Sequence, residues 1–170
     1  MRIDFERQER IDAPVEQVWD ELDSLEDILT KTPQIARHAV RADGSTADLQ
    51  VVIRWGPVRR TVDAIARQAD VRPFEGLALR VDAPSIDVHA DGSLTIRAGG
   101  EAETALTYSM QLESGHWFSR RMRSTLTDML EGHVHSLIDS VKARAEAHHQ
   151  AEKRLMNNLP NEGIKDADAG

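Results

Sequence analysis

Cysteine is absent from the 170 residues, which excludes disulfides, thiolate metal sites, iron–sulfur clusters and cysteine nucleophiles. Aromatic residues are scarce, at 4% with a single tyrosine, so any core must be built from aliphatic side chains and methionine. Basic residues are outnumbered: 21 Lys and Arg face 29 Asp and Glu, giving a net charge of −8 and a pI near 5.3. That balance argues against nucleic acid as a partner, since phosphate binding calls for basic faces. No apolar run approaches the ~18–20 residues of a membrane span, so stable membrane insertion is not expected. The opening Met1-Arg2-Ile3-Asp4-Phe5 lacks the apolar stretch of a secretory signal, and a cytoplasmic location is expected. The length fits one compact domain able to bury a real core.

Periodicity supplies the elements. Residues 2–11 alternate, with Ile3, Phe5 and Ile11 on one parity and charged residues on the other. Arg7 and Glu9 interrupt the apolar parity, which predicts an edge strand or one with a polar inner lining. Asp12 is a candidate cap, Pro14 suits a first helical turn, and Val15, Val18, Trp19 and Leu22 follow at helical spacing. Asp23-Ser24 restarts the chain into a second short helix with Leu25, Ile28 and Leu29, closed by Pro33. Strands are then predicted over Ile35–Ala42, Ala47–Trp55, Val58–Ala69, Gly76–Asp82, Ile86–Ala90, Ser93–Ala98 and Glu101–Glu113. Turn chemistry separates them: Asp43-Gly44, Gly56-Pro57, Arg72-Pro73, Ala83-Pro84, Asp91-Gly92 and Gly99-Gly100. From 117 to about 156 there is no proline, and Phe118, Met122, Leu126, Met129, Leu130, Leu137, Ile138 and Val141 recur at three- and four-residue steps. This predicts one amphipathic helix that can exceed ~50 Å, its last turns reaching past a small sheet to solvent or to a second copy of the chain. Residues 1–156 thus form one α+β domain, with 157–170 a flexible tail. The expected architecture is a curved antiparallel sheet of six to seven strands gripping a long C-terminal helix, with two short helices closing one end.

The run Ile11-Asp12-Ala13-Pro14-Val15-Glu16-Gln17-Val18-Trp19, followed by Leu22 and Leu25, resembles the opening of the START-related helix-grip superfamily of polyketide cyclase-like and lipid-transfer proteins. With Trp55-Gly56-Pro57-Val58 in a hairpin, the chain looks most like the carbon monoxide dehydrogenase G branch, related to coenzyme Q-binding proteins. The resemblance spans roughly residues 2–145 and rests on structural motifs. It implies a helix-grip fold and a hydrophobic small-molecule partner such as a lipid, quinone or polyketide, and some members of the superfamily catalyse cyclisation.

The residues offer a matching candidate site. Leu106, Tyr108, Met110 and Leu112 alternate on one strand, while Met122, Leu126, Met129 and His133 lie on the helical stripe. Methionines converging from strand and helix suit a pocket for apolar ligands, though they are equally ordinary core. Tyr108 brings a hydroxyl that backbone could satisfy as readily as a ligand carbonyl. His133 is either a ligand-bonding imidazole or a satisfied core histidine. Trp19, Leu22 and Trp55 either line the mouth or pin their elements to the core. No cofactor or metal is expected: His133 and His135 stand about 200° apart on a helix, and no zincin spacing occurs. No Gly-x-Ser-x-Gly elbow or triad appears, so no catalytic residue is assigned. Carriage of a hydrophobic ligand is the favoured reading. The alternatives are a cyclase or dehydratase using a pocket His, Tyr or Asp as acid/base, and a protein-interaction module. Arg54, Arg59 and Arg60 crowd one hairpin, and Arg120, Arg121 and Arg123 crowd the start of the long helix. Pairing with the chain's own carboxylates is expected, with an anionic lipid surface or a partner protein the other possible neutralisers.

Overall fold

In a computed structural model, the structure describes residues 1–115 and 120–158, with backbone alone for Trp55, Arg120, Arg121 and Met122. The chain runs β1 (Arg2–Ile11), α1 (Val15–Asp20), α2 (Leu25–Thr30), β2 (Ile35–Val40), β3 (Thr46–Trp55), β4 (Val58–Arg72), β5 (Gly76–Ala83), a 3-10 turn (Pro84–Ile86), β6 (Val88–Gly100), β7 (Glu103–Ser114) and α3 (Arg120–Asn157). The strands form one antiparallel sheet in the order β1-β7-β6-β5-β4-β3-β2. All neighbours but one are consecutive hairpin partners. The exception is β1, which pairs along its whole length with β7 and so returns the N-terminus to the end of the sheet. This is the helix-grip architecture expected from the sequence.

Arg7 and Glu9 satisfy both readings of the interrupted pattern. β1 is an edge strand, and its mid-strand charges turn inward beneath α3. Glu9 accepts hydrogen bonds from Lys142 Nζ at 2.8 Å and Arg7 at 3.0 Å, and Arg7 also reaches Asp139 at 3.4 Å. The polar lining is therefore a latch between edge strand and helix, and the Lys142 and Arg7 hydrogen bonds hold Glu9 below the usual carboxylate range.

Two expectations are corrected. Asp12 does not cap α1; Pro14 is the N-cap and the Asp12 carboxylate pairs with Arg10 instead. Asp91-Gly92 is not a turn. The two short strands predicted on either side of it are one strand, β6, through which Val88, Ala90, Leu94 and Ile96 keep a single inward parity. Ser24 caps α2 as the sequence suggests, accepting from the Asp27 amide at 3.1 Å. Lys31, just after α2, is buried: its Nζ donates to the Glu21 carbonyl at 2.8 Å and pairs with the Glu21 carboxylate at 3.1 Å, tying α2 back to α1. Thr104, fully buried on β7, donates to the Ala13 carbonyl at 2.8 Å and anchors the chain between β1 and α1.

The inward faces of the strands and one stripe of α3 make two apolar clusters. One gathers around α2, β3–β5 and the first half of α3; the other lies under α1 and the second half of α3. Ala145 is the last buried residue of the helix, and Leu155 and Met156 are each 71% exposed. At ~1.5 Å per residue the 38-residue helix is about 57 Å long, and from Gln150 to Asn157 every one of its residues is exposed. The tail expected from 157 lies outside the described residues from 159 onward.

Candidate functional site

The sheet bends away from α3 along the middle of the grip, and the space between them is a cavity of ≈ 170 Å³. Its floor comes from alternate inward residues of β3 to β7, including Val51, Ile53, Leu79 and Ala90, and its roof from α3. Small inward residues keep it from filling: Ala64 and Ala90 stand where larger aliphatics would close the gap. Among the described residues, no Asp, Glu, Lys or Arg contributes to the wall.

Of the nine residues singled out in the sequence, five meet here: Tyr108 and Met110 from β7, and Leu126, Met129 and His133 from α3. Trp19 and Leu22 do not line the cavity. Both are buried in the cluster beneath α1, and the Trp19 ring meets that of Phe74 in the β4–β5 turn at 6.1 Å. The side chains of Met122 and Trp55 lie outside the described residues. Sequence reasoning missed Gly92, which also lines the cavity. An inward parity running unbroken through β6 was the signal for it, masked by an Asp-Gly pair that reads as a turn.

Among the described residues four polar side chains border the cavity, of which Ser93, bonded to Ser109, and Thr32 are already partnered, leaving Tyr108 and His133. The Tyr108 hydroxyl lies against Gly92: a Cβ at that position would sit 3.2 Å from it, so the glycine makes room for the phenol. Among the described residues the hydroxyl has no hydrogen-bond partner, and burial alone pushes its pKa well above the ordinary value. His133 is half-buried and bonds through Nδ1 to the Met129 carbonyl one turn back, at 2.7 Å. A carbonyl only accepts, so Nδ1 carries the proton and Nε2 keeps its lone pair. Burial lowers the His133 pKa and outweighs that hydrogen bond, so the ring is neutral near pH 7. The Thr32 hydroxyl, also at the wall, is already used by the Ile28 carbonyl. The cavity thus presents one unused O–H donor and one imidazole acceptor on an aliphatic surface, an arrangement that can seat an apolar molecule with a single polar end.

The other described histidines do not line this cavity. His135 is exposed and His89 sits on the outer sheet face, 2.7 Å from Asp82. Among the described residues no group of His, Asp or Glu could hold a metal ion, and no helix is long and apolar enough to cross a membrane.

No family model and no curated protein matches the sequence. Solved structures do match. A conserved protein from Geobacillus kaustophilus aligns with a TM-score of 0.71 at 18% identity, over 86% of this chain and 97% of that one. A START superfamily protein from Mycobacterium smegmatis aligns at 0.65 and 14% identity, over 85% and 97%. The Zhui aromatase/cyclase from Streptomyces sp. R1128 aligns at 0.63 and 14% identity, over 94% and 100%. At these identities the likeness is one of fold: the chain has the helix-grip fold of START and aromatase/cyclase proteins.

Proposed function

We propose that the protein binds and carries an apolar small molecule bearing one hydrogen-bonding end, of lipid, quinone or polyketide-like class, between the sheet and α3. The observation that carries this reading is the unpartnered Tyr108 hydroxyl in a largely aliphatic wall. A ligand carbonyl or quinone oxygen accepting from it would add one hydrogen bond, worth about 0.5–1.5 kcal/mol. Burial of the ligand's apolar surface would supply the bulk of the affinity. An apolar cavity of about 150 Å³ suffices for benzene, so the ≈ 170 Å³ here fits one or two rings or a short chain; a longer ligand requires sheet and helix to part. START and aromatase/cyclase neighbours support the ligand class at the level of fold.

The cyclase or dehydratase alternative draws on His133, whose neutral Nε2 could take a proton from a bound substrate. Its partner is a backbone carbonyl, whose support burial outweighs, and among the described residues no carboxylate lines the cavity, so its basicity stays below the ordinary value. Carriage therefore stands ahead of chemistry.

Native mass spectrometry of freshly purified protein, with organic extraction of what co-purifies, tests the reading. A stoichiometric apolar ligand is expected, absent from Ala90→Leu, in which the added side chain fills the cavity. Titration with menadione or decanoate, followed by NMR, should shift the signals of Met110, Met129 and His133. An empty chain together with no shifts for either probe would overturn the proposal. A ligand recovered in chemically altered form, with the alteration stopped by His133→Gln, would put catalysis first.

A further inference from the structure

We propose that the β3–β4 hairpin docks the protein onto an anionic lipid bilayer. In a chain with 29 acidic residues, the fourteen positions from Leu49 to Val62 contain none, yet they hold Arg54, Arg59 and Arg60. The ladder sets Arg54 directly opposite Arg59, and Arg60 opposite Ile53. Like charges facing each other across an antiparallel pair are destabilising. Elsewhere on the sheet several exposed arginines are matched with acids, Arg41 with Asp48, Arg67 with Asp82 and Arg80 with Asp91, while Arg37, Arg72 and Arg97 stand singly, without a like charge opposite them. The three hairpin arginines are exposed and, among the described residues, make no ion pair or hydrogen bond. Among the described residues, the expected pairing of this cluster with the chain's own carboxylates is not found.

Between the arginines the turn is Gly56-Pro57, tightened by Gly56 at φ +55°, with Val58 opening β4 beside it. Val58 is 59% exposed, and the turn offers no polar side chain. An apolar tip flanked by guanidinium groups suits a bilayer, where the tip enters the acyl boundary and the arginines meet headgroup phosphates. A protein partner would call for directional polar contacts that this tip lacks. Each basic residue close to an anionic membrane is worth about fivefold in affinity. Three of them, opposed by the acidic remainder of the molecule, give a contact that forms and releases readily and weakens with salt. Ile53 and Val62, on the same two strands, line the cavity, so docking would hold that end of the cavity next to lipid. The inference concerns the outer surface and stands whether or not the cavity takes a ligand.

Co-sedimentation with vesicles of equal parts phosphatidylglycerol and phosphatidylcholine, against phosphatidylcholine alone, tests it. The full chain should bind the anionic vesicles, release in high salt and ignore the neutral ones. The triple variant Arg54→Gln, Arg59→Gln, Arg60→Gln should lose affinity by about a hundredfold. Its thermal midpoint should not fall, because the Arg54–Arg59 opposition is gone. A control triple, Arg72→Gln, Arg97→Gln, Arg154→Gln, removes the same charge from other exposed sites and should keep most of the binding. Equal binding to both vesicle types, no vesicle binding at all, or equal losses in the two triples would overturn the proposal.

Discussion

Tyr108 and Gly92 are best understood as a pair, since the phenol occupies the space that a side chain at Gly92 would take. Gly92→Ala should force the ring toward the cavity and lower stability by about 1 kcal/mol. In a Tyr108→Phe background, where the nearest atom is gone, the same change should cost clearly less. A double-mutant cycle by urea denaturation reads that coupling directly. Tyr108→Phe alone should leave the free protein within about 0.5 kcal/mol of the parent, because the hydroxyl has no partner to lose. It should weaken binding of a carbonyl-bearing ligand about fivefold to tenfold by calorimetry, the worth of one hydrogen bond. A large loss of stability would show that the hydroxyl is tied to protein after all. Lys31 makes the opposite case. It is buried against Glu21, so Lys31→Ala leaves that carboxylate, among the described residues, only Arg144 at 3.9 Å, and releases α2 from α1. About 2–3 kcal/mol of destabilisation is expected in denaturant titration, less than for a fully buried pair because Glu21 remains partly exposed.

Among the elements, α3 does two jobs along its length. Up to Ala145 it roofs the cavity and covers the second apolar cluster; beyond that its contacts are polar, such as Gln17 Nε2 donating to Glu152 at 2.5 Å. Ending the chain after Lys153 removes Leu155 and Met156 and, among the described residues, no buried group. Stability should stay within about 0.5 kcal/mol by thermal unfolding. A larger loss, or a lower mass in light scattering, would mean that the exposed last turns pair two copies. β6 holds the lesson about turns. Asp-Gly is a strong hairpin signal taken by itself, yet Asp91 pairs with Arg80 on the outer face and Gly92 faces Tyr108 on the inner one. Neighbouring strands on both sides hold this dipeptide extended.

For the molecule as a whole, pH acts through two histidines of opposite sign. Burial lowers the His133 pKa below 6.5, so the stability gained from keeping it neutral is complete above 6.5 and is lost as pH falls through its folded pKa. The Asp82 hydrogen bond raises that of His89, whose contribution is complete below 6.5 and is lost as pH rises through its folded pKa. His89 is exposed and its pair is screened, so His133 should dominate. Thermal midpoints should decline as pH falls below 6.5, and His133→Gln should flatten that slope. A decline that survives the substitution would assign it to another group. Below about pH 4, Asp4, Glu9, Asp43 and Asp48 add a common loss, because hydrogen bonds to their charged forms hold each below its ordinary pKa.

The order of elements, their periods and most of their ends were determined by the sequence alone. Alternation and helical spacing are local properties of the chain, and caps such as Ser24 and stops such as Pro33 act within a few residues. Five of the nine candidate residues were legible for the same reason: Tyr108 and Met110 share a parity, and Leu126, Met129 and His133 share a stripe. What periodicity could not tell was which inward residues border empty space and which border other side chains. Trp19 and Leu22 have the same helical spacing as a pocket wall, but α1 lands on the sheet and buries them. Lys31 reads as a surface charge until Glu21 is brought beside it, and three arginines read as candidates for acidic partners until the ladder sets two face to face. These outcomes depend on the curvature of the sheet and the angle at which α3 crosses it. Both are set by packing between residues distant in the chain, so only the tertiary structure could decide them.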